Sequence, residues 1–188
     1  MPLPPPMLLA IAYAPVSVRA RLAWLLALDQ RLADVLTRAS EPMIAQLRLS
    51  WWRDALNSAP DKRPKGEPLL AQLDEIASDD GAILAGRSLI DVFEILATGA
   101  DTQAREVAQR QRIAALCAAF ASWAACGEFQ NVQIDRIANW WSNPAGPLPK
   151  SLPRTLRPLT ILALAEHLES SHSQASPLRL NWHALTGR

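Results

Sequence analysis

The sequence predicts an all-α protein, and three observations support this prediction. Half of the 188 residues are hydrophobic (49%), mostly alanine and leucine, with one tyrosine and three phenylalanines. This mixture favours helices over sheets. The apolar residues recur at helical spacing, and no useful length of chain alternates with a period of two. Proline-rich stretches separate the periodic segments, as expected of loops between helices.

The expected architecture is a single helical bundle. A length of 188 residues fits one domain, predicted to span 1–188, with a proline-rich segment at 1–16 and a tail at 172–188. The net charge is +1, so the chain lacks the broad basic field that nucleic-acid binding requires, and we expect no nucleic-acid partner.

The order of helices follows from capping residues and breakers. Ser17 is predicted to cap a first helix running to about Ala39. Ser40 is predicted to cap the second, with Glu41 and Pro42 in its first turn. A loop is expected over 59–68, where ten residues hold three prolines, one glycine and five charges. Further helices are predicted over 68–78, 83–98, 101–126, 129–142 and about 155–171.

The second predicted helix carries two apolar stripes and two adjacent tryptophans. One stripe contains Ile44, Leu47, Trp51 and Ala55, and the other contains Leu49, Trp52 and Leu56. A helix that is apolar on two sides is expected to be largely buried. Neighbouring side chains on a helix point about 100° apart, so Trp51 and Trp52 cannot both sit at the centre of one face. We expect one indole to be deeply packed, while the other either packs on a neighbour or borders a groove.

Cysteine use and hydropathy indicate a cytoplasmic protein, with peripheral membrane contact left open. Cys117 and Cys126 are predicted to lie on one helix, too far apart for a disulfide, which fits a reducing compartment. The opening "MPLPPPMLLAIAYAP" has no basic residue of the kind that begins a signal peptide. No uncharged helical stretch approaches the roughly 20 residues of a membrane span.

Common catalytic and metal motifs are missing from the sequence. It contains no phosphate-binding glycine loop, no Gly-x-Ser-x-Gly turn, and no cysteine or histidine set at metal spacing. His167, His172 and His183 are interpreted as ordinary surface or partly buried residues. Asp91 and Glu94 share a helix face and can in principle hold a cation, although such pairs are more often simply solvated.

The segment "YAPVSVRARLAWLLALDQRLADVLTRASEPMIAQLRLSWWRDAL" (13–56) resembles the N-terminal region of the squalene and phytoene synthases. It is most similar to their divergent branch, which includes the mitochondrial complex I assembly factor. The resemblance rests on Tyr13 and Arg19, on Ser-Glu-Pro at 40–42, and on "RLSWWRDAL" at 48–56. "SLIDVFEILATG" (88–99) resembles a later helix of the family, and "PLPKSLPRTLRPLTILALA" (147–165) is a weaker likeness.

The resemblance implies an isoprenoid-synthase type of helical bundle around an apolar cavity. Active members join two prenyl diphosphates head to head, and two aspartate-rich motifs hold magnesium against the diphosphates. Here the counterpart of the first motif, Asp-x-x-x-Asp, carries Asp34 followed by Arg38, and the second motif is not found. The chain is also shorter than a complete synthase domain. We therefore expect no catalytic residue, no metal site and no cofactor, with magnesium required only if the protein is an active enzyme.

Two interpretations of the arginines remain open at this point. Asp34 and Arg38 can form a simple surface ion pair at i,i+4 spacing. Alternatively, arginines of this region bind a phosphate-bearing ligand without metal. The candidate residues for a diphosphate or ligand groove are Arg31, Asp34, Arg38, Arg48, Trp51, Trp52 and Arg53.

Three functions are consistent with the sequence. The first is a non-catalytic family member with an assembly or scaffold role, linked to respiratory complex I or to membrane lipid, with a protein partner or an oligomer. The second is an active prenyl-diphosphate transferase of the squalene or phytoene type. The third is a protein that binds a prenyl or other lipid chain. Loss of the acidic motifs favours a non-catalytic role.

Overall fold

The computed structural model describes residues 3–76, 80–99, 101–144, 147–149 and 152–170. Every regular element within these ranges is helical, so the predicted all-α class is confirmed. The predicted tail at 172–188, with His172 and His183, lies outside the described residues. The elements are α1 (Pro5–Tyr13), α2 (Val16–Arg38), α3 (Pro42–Asn57), η1 (Pro60–Lys62), α4 (Pro68–Ile76), α5 (Gly81–Ala97), α6 (Thr102–Trp123), α7 (Glu128–Ser142), η2 (Arg154–Leu156) and α8 (Arg157–Ser170).

Prolines, rather than the predicted serines, begin the first three helices. The proline-rich start, where the sequence analysis predicted no helix, forms α1 with prolines in its first turn. The prediction that Ser17 caps α2 was wrong, because Ser17 lies inside this helix, which begins directly after Pro15. The prediction that Ser40 caps α3 was also wrong, since Glu41 occupies the N-cap position and makes no side-chain cap hydrogen bond. A proline in the first turn loses no hydrogen bond and has its φ already fixed, so it defines the start by itself.

The end of α6 corrects the prediction about the cysteines. The helix stops at Trp123, and Ala125 has a left-handed backbone with φ of 47°. Cys126 follows this turn and Cys117 is buried within α6, so the two are not on one helix. Neither of these two cysteines forms a disulfide, and burial raises the pKa of the Cys126 thiol.

The chain forms two compact units, and the prediction of one domain over 1–188 stays a prediction. The first unit combines residues 1–23 with 120–188. Within it α8 packs on α1 and on α7, and Leu9 of α1 lies against Ala165 and Leu168 of α8. The guanidinium of Arg19 donates to the backbone oxygens of Ala12 and Ala14 at 3.1 and 3.0 Å, which satisfies the end of α1.

The second unit, residues 24–119, contains α3, α4 and α5 with most of α2 and α6. Its core is aliphatic and aromatic, and α3 packs along α5. The indole N–H of Trp24 donates to the backbone oxygen of Leu69 at 2.8 Å, which ties α2 to α4. Inside the core, Asp29 of α2 is 2% exposed and accepts two hydrogen bonds from Arg112 of α6, at 2.7 and 2.5 Å.

Candidate functional site

Helix α3 buries one of its two apolar stripes. Leu49, Trp52 and Leu56 are each at most 3% exposed, and the helix packs against α5. Gly86 of α5 permits the close approach: a Cβ added there would lie 2.9 Å from Leu56 Cδ1 and 3.0 Å from the Trp24 ring. A side chain at this position would force the Leu56 and Trp24 side chains to shift.

The other predicted stripe of α3 is only partly buried. Ala55 is 3% exposed and Ile44 is half-buried, but Leu47 is 62% exposed and Trp51 is 41% exposed. Met43, one turn before Leu47, is 67% exposed. The prediction that α3 is largely buried on two sides was therefore wrong. Apolar periodicity showed which faces can be buried, but a face is buried only where another element covers it. Monomeric proteins rarely expose a continuous apolar patch without a binding role, so these exposed residues indicate a binding surface on this side of α3.

The two tryptophans have the unequal environments that their helical angle predicts. Trp52 is 3% exposed and Trp51 is 41% exposed. Their ring centroids lie 5.2 Å apart with the planes at 82°, an edge-to-face contact. Such contacts are favourable because the positive ring edge meets the negative ring face. Trp52 thus anchors the core and holds the exposed indole of Trp51 in place.

Trp51 borders a groove of about 530 Å³, a volume typical of ligand sites. The groove is formed by one side of α2, the open side of α3 and Glu67 just before α4. Six of the seven residues proposed from the sequence line it. Its walls are Arg31, Asp34, Val35, Arg38, Ile44, Leu47, Arg48, Trp51, Trp52 and Glu67.

Three arginines and two carboxylates give the groove a formal charge of +1. Arg31 pairs with Glu67 at 3.0 Å, and Arg38 pairs with Asp34 at 3.6 Å across one turn of α2. The predicted i,i+4 ion pair of Asp34 and Arg38 is therefore confirmed. Arg48 is exposed and has no ion pair within the described residues. The groove thus joins an apolar wall to one uncompensated positive charge.

A model of the squalene/phytoene synthase family matches residues 6–98. The match covers just under half of the chain, which is similar to this family over that segment. This range contains both helices that form the groove. No curated protein and no solved structure matches the chain. None of the described helices is both long and apolar enough to cross a membrane.

Within the segment that matches the squalene/phytoene synthase model, the residues at the first aspartate position do not fit a magnesium ion. Magnesium is held by carboxylate and phosphate oxygens, and Asp34 provides such a ligand. Arg38 occupies the position of the second acid, and its guanidinium lies 3.6 Å from the Asp34 carboxylate. Two like unit charges about 4 Å apart repel by about 4 kcal/mol at an effective dielectric of 20, and a divalent cation is repelled about twice as strongly. Arg38 thus provides the cation that Asp34 would otherwise bind.

Arg53, the seventh predicted residue, does not line the groove. It lies on α3 and binds α5, where its Nη2 is 2.6 Å from Asp91 Oδ1 and 2.7 Å from Glu94 Oε2, and its Nε donates to Glu94 Oε1 at 3.0 Å. Hydrogen bonds to Glu94, and then to Asp91, raise the pKa of the Arg53 guanidinium. The cation held by Asp91 and Glu94 is therefore an arginine. No group of three acidic, histidine or cysteine side chains at metal-binding distance occurs in the part of the chain that the structure describes.

Sequence reasoning missed several residues of this unit. Glu67 was read only as part of a charged loop, and nothing in the local sequence indicates that it meets Arg31 of α2. The Asp29–Arg112 pair joins residues 83 positions apart and has no local signal either. A second cavity at the junction of α3 and α5, lined by Arg63 and Arg87, was also not foreseen.

Proposed function

We propose that the protein is a non-catalytic member of the squalene/phytoene synthase family that acts by binding a protein partner in an assembly or scaffold role. The observation that carries this proposal is the Asp34–Arg38 pair, which puts a positive charge where an active synthase needs a second carboxylate. Ionising a prenyl diphosphate requires stabilisation of the departing charge, and electrostatic terms of this kind usually dominate catalysis. Arginines can bind a diphosphate, but ground-state binding alone does not accelerate its ionisation.

The groove supports a role in protein binding. The exposed stripe Met43–Leu47–Trp51 has a spacing of four residues, so one helix of a partner can lie along it. Tryptophan and arginine are the side chains most often found at energetic centres of interfaces, and Trp51 lies beside Arg48 here. The positive formal charge of the groove favours a partner segment that combines apolar residues with acidic ones.

The resemblance to the branch of the mitochondrial complex I assembly factor supports respiratory complex I as the assembly in which this partner participates. This part of the proposal rests on the motifs at 13–56 alone.

A second function, binding of a prenyl or other lipid chain, is favoured by one feature. Ile44, Leu47 and Trp51 line a groove that is large enough for a small ligand. Lipids extracted from the purified protein would contain a stoichiometric prenyl or acyl species if this function is correct. The same species would be missing from a Trp51→Asp variant.

Catalysis is tested by incubating the purified protein with magnesium and farnesyl or geranylgeranyl diphosphate. We expect no head-to-head product above a control without protein, and none from Arg38→Asp. Magnesium-dependent formation of a condensed hydrocarbon by the unmodified protein would restore the enzyme hypothesis.

Partner binding is tested by affinity capture from native membranes followed by mass spectrometry. We expect complex I subunits or assembly intermediates with the unmodified bait and with Val107→Asp, a matched change at another exposed apolar residue (44% exposed). Trp51→Asp and Arg48→Glu should lose them. Equal capture by all four baits would show that the groove is not the docking site.

A further inference from the structure

A second cavity, of about 510 Å³, lies where α3 ends and α5 begins. It contains two arginines, two aspartates and an apolar wall, and it shares no residue with the groove. The residues that matter for its chemistry are Arg63, Asp74, Asp80, Ile83, Leu84 and Arg87.

Arg63 has a structural role in this cavity. It is 7% exposed, its Nη1 pairs with Asp74, and its Nε donates to the backbone oxygen of Ser58 at 3.2 Å. The two charges cancel, and the guanidinium fastens the loop after α3 to α4. Arg63 and Asp74 therefore leave no net charge to attract a ligand.

Arg87 differs from the other enclosed arginines of this unit. Arg53, Arg63 and Arg112 each bind at least one carboxylate. Arg87 is half-buried, yet no described residue forms an ion pair with it or accepts a hydrogen bond from it, and its Nε is enclosed without an acceptor. The terminal nitrogens of Arg87 donate to no described residue and so remain available as donors. A guanidinium can bind a carboxylate by donating two parallel hydrogen bonds.

The wall beside Arg87 is apolar and partly uncovered. Ile83 and Leu84 precede Arg87 by four and three residues, so all three share one face of α5. Leu84 is 57% exposed although it lines a cavity. Asp80 is exposed in the same cavity, one turn before Leu84, and adds a negative charge there.

We propose that this cavity binds a small monocarboxylate with an apolar body. The carboxylate bonds to the terminal nitrogens of Arg87, and the hydrocarbon portion covers Leu84 and Ile83. The formal charges of the cavity sum to zero, and the Arg87 guanidinium, which donates to no described residue, matches one carboxylate. Because the charges of Arg87 and Asp80 cancel formally, the second negative charge of a phosphate monoester gains no net attraction there, while its desolvation cost is larger. This inference does not depend on the proposed function, because it concerns a different site.

The probe is octanoate, titrated into the full-length protein by isothermal titration calorimetry, with octanol and octyl phosphate in parallel. We expect saturable binding of octanoate, and weaker binding of both other compounds. No saturable octanoate binding would overturn the proposal, as would octanol binding equal to that of octanoate. Tighter binding of octyl phosphate than of octanoate would contradict the proposal that the ligand is a monocarboxylate.

Variants locate the site. Arg87→Leu should weaken octanoate binding by about tenfold to a hundredfold, the usual effect of a hydrogen-bonded charge pair. Asp80→Asn should tighten it by about two- to fivefold by removing a repulsive charge. Arg105→Leu, a control at an exposed arginine of α6 outside the cavity, should leave it unchanged. Because Arg87→Leu also removes an enclosed nitrogen without an acceptor, its thermal midpoint should equal or exceed that of the parent. A folded Arg87→Leu variant with unchanged octanoate affinity would refute the assignment.

Discussion

Helix α3 places one tryptophan on each of two faces. Both faces are apolar, but they differ in burial and in what they contact. The face of Leu49, Trp52 and Leu56 meets α5 across Gly86, whereas the face of Leu47 and Trp51 borders a groove with arginines along it. The same helical periodicity therefore produces core on one side and an exposed surface on the other. An apolar stripe on a helix can be buried, but it is buried only where another element packs against it.

The largest effect expected from this comparison is on stability. Trp52→Ala should lower the free energy of unfolding by about 3–5 kcal/mol, because it leaves a cavity in the core. Trp51→Ala should cost about 1 kcal/mol, since its indole is already 41% exposed. Denaturant titrations of both variants measure the difference. Equal losses would mean that the two faces contribute alike and that the comparison fails.

Helix α2 extends the comparison to charges. Asp29, at 2% exposure, is bound twice by Arg112, so Asp29→Ala removes both of these hydrogen bonds from an enclosed guanidinium. Breaking a buried pair from one side usually costs about 3–5 kcal/mol. We expect a loss at the lower end, about 3 kcal/mol, because the Arg112 side chain is 15% exposed. Thermal unfolding of Asp29→Ala and of the double variant Asp29→Ala/Arg112→Met tests whether the remaining guanidinium causes the loss. The double variant should recover part of the lost stability. No recovery would contradict this explanation.

A smaller effect is expected where α3 meets α5 at the surface. Arg53→Met removes the pairs with Asp91 and Glu94, whose side chains are 58% and 34% exposed. Solvent screens such pairs, so the loss should be about 0.5–1 kcal/mol. Arg53→Lys should retain part of it. A loss above about 2 kcal/mol would show that Arg53 is needed for the packing of α3 on α5 and is more than a surface pair.

The smallest effect concerns the groove itself. Asp34→Ala removes one i,i+4 pair with Arg38, which is 65% exposed, and should change the free energy of unfolding by less than about 0.5 kcal/mol. The change should shrink further in high salt, because screening weakens exposed pairs. If Asp34→Ala lowered the free energy of unfolding as much as Asp29→Ala, the exposed and the buried ion pairs of α2 would contribute equally to stability, contrary to this prediction.

Much of the fold follows from local sequence, because the signals that define it are local. Helices α4 to α8 lie where periodicity and breakers predict them, and six of the seven proposed site residues meet in one groove. All six lie on α2 and α3, which are consecutive in the chain, so helical spacing alone brings their side chains to two adjoining faces.

What the sequence did not reveal depends on contacts between distant residues. The serine caps were wrong because a neighbouring proline defined each helix start. The prediction that both α3 stripes are buried was wrong because no element covers Leu47 and Trp51 of the second stripe. Arg53 was assigned to the groove because it adjoins Trp52 in sequence, but Asp91 and Glu94, about 40 residues later, hold it against α5. No local pattern encodes such pairings.

The pairing of α1 with α8 has a consequence for synthesis on the ribosome. Residues 24–119 form one unit and are complete long before the other, which needs both α1 and α8. Translation of the 51 residues from 120 to 170 takes about 3–10 s at roughly 5–20 residues per second. During that interval α1, nine residues long and too short to be stable alone, has not yet met α8. Leu9 and the other apolar residues of this segment therefore stay uncovered on newly made chains for seconds, within reach of chaperones, before α8 packs against them.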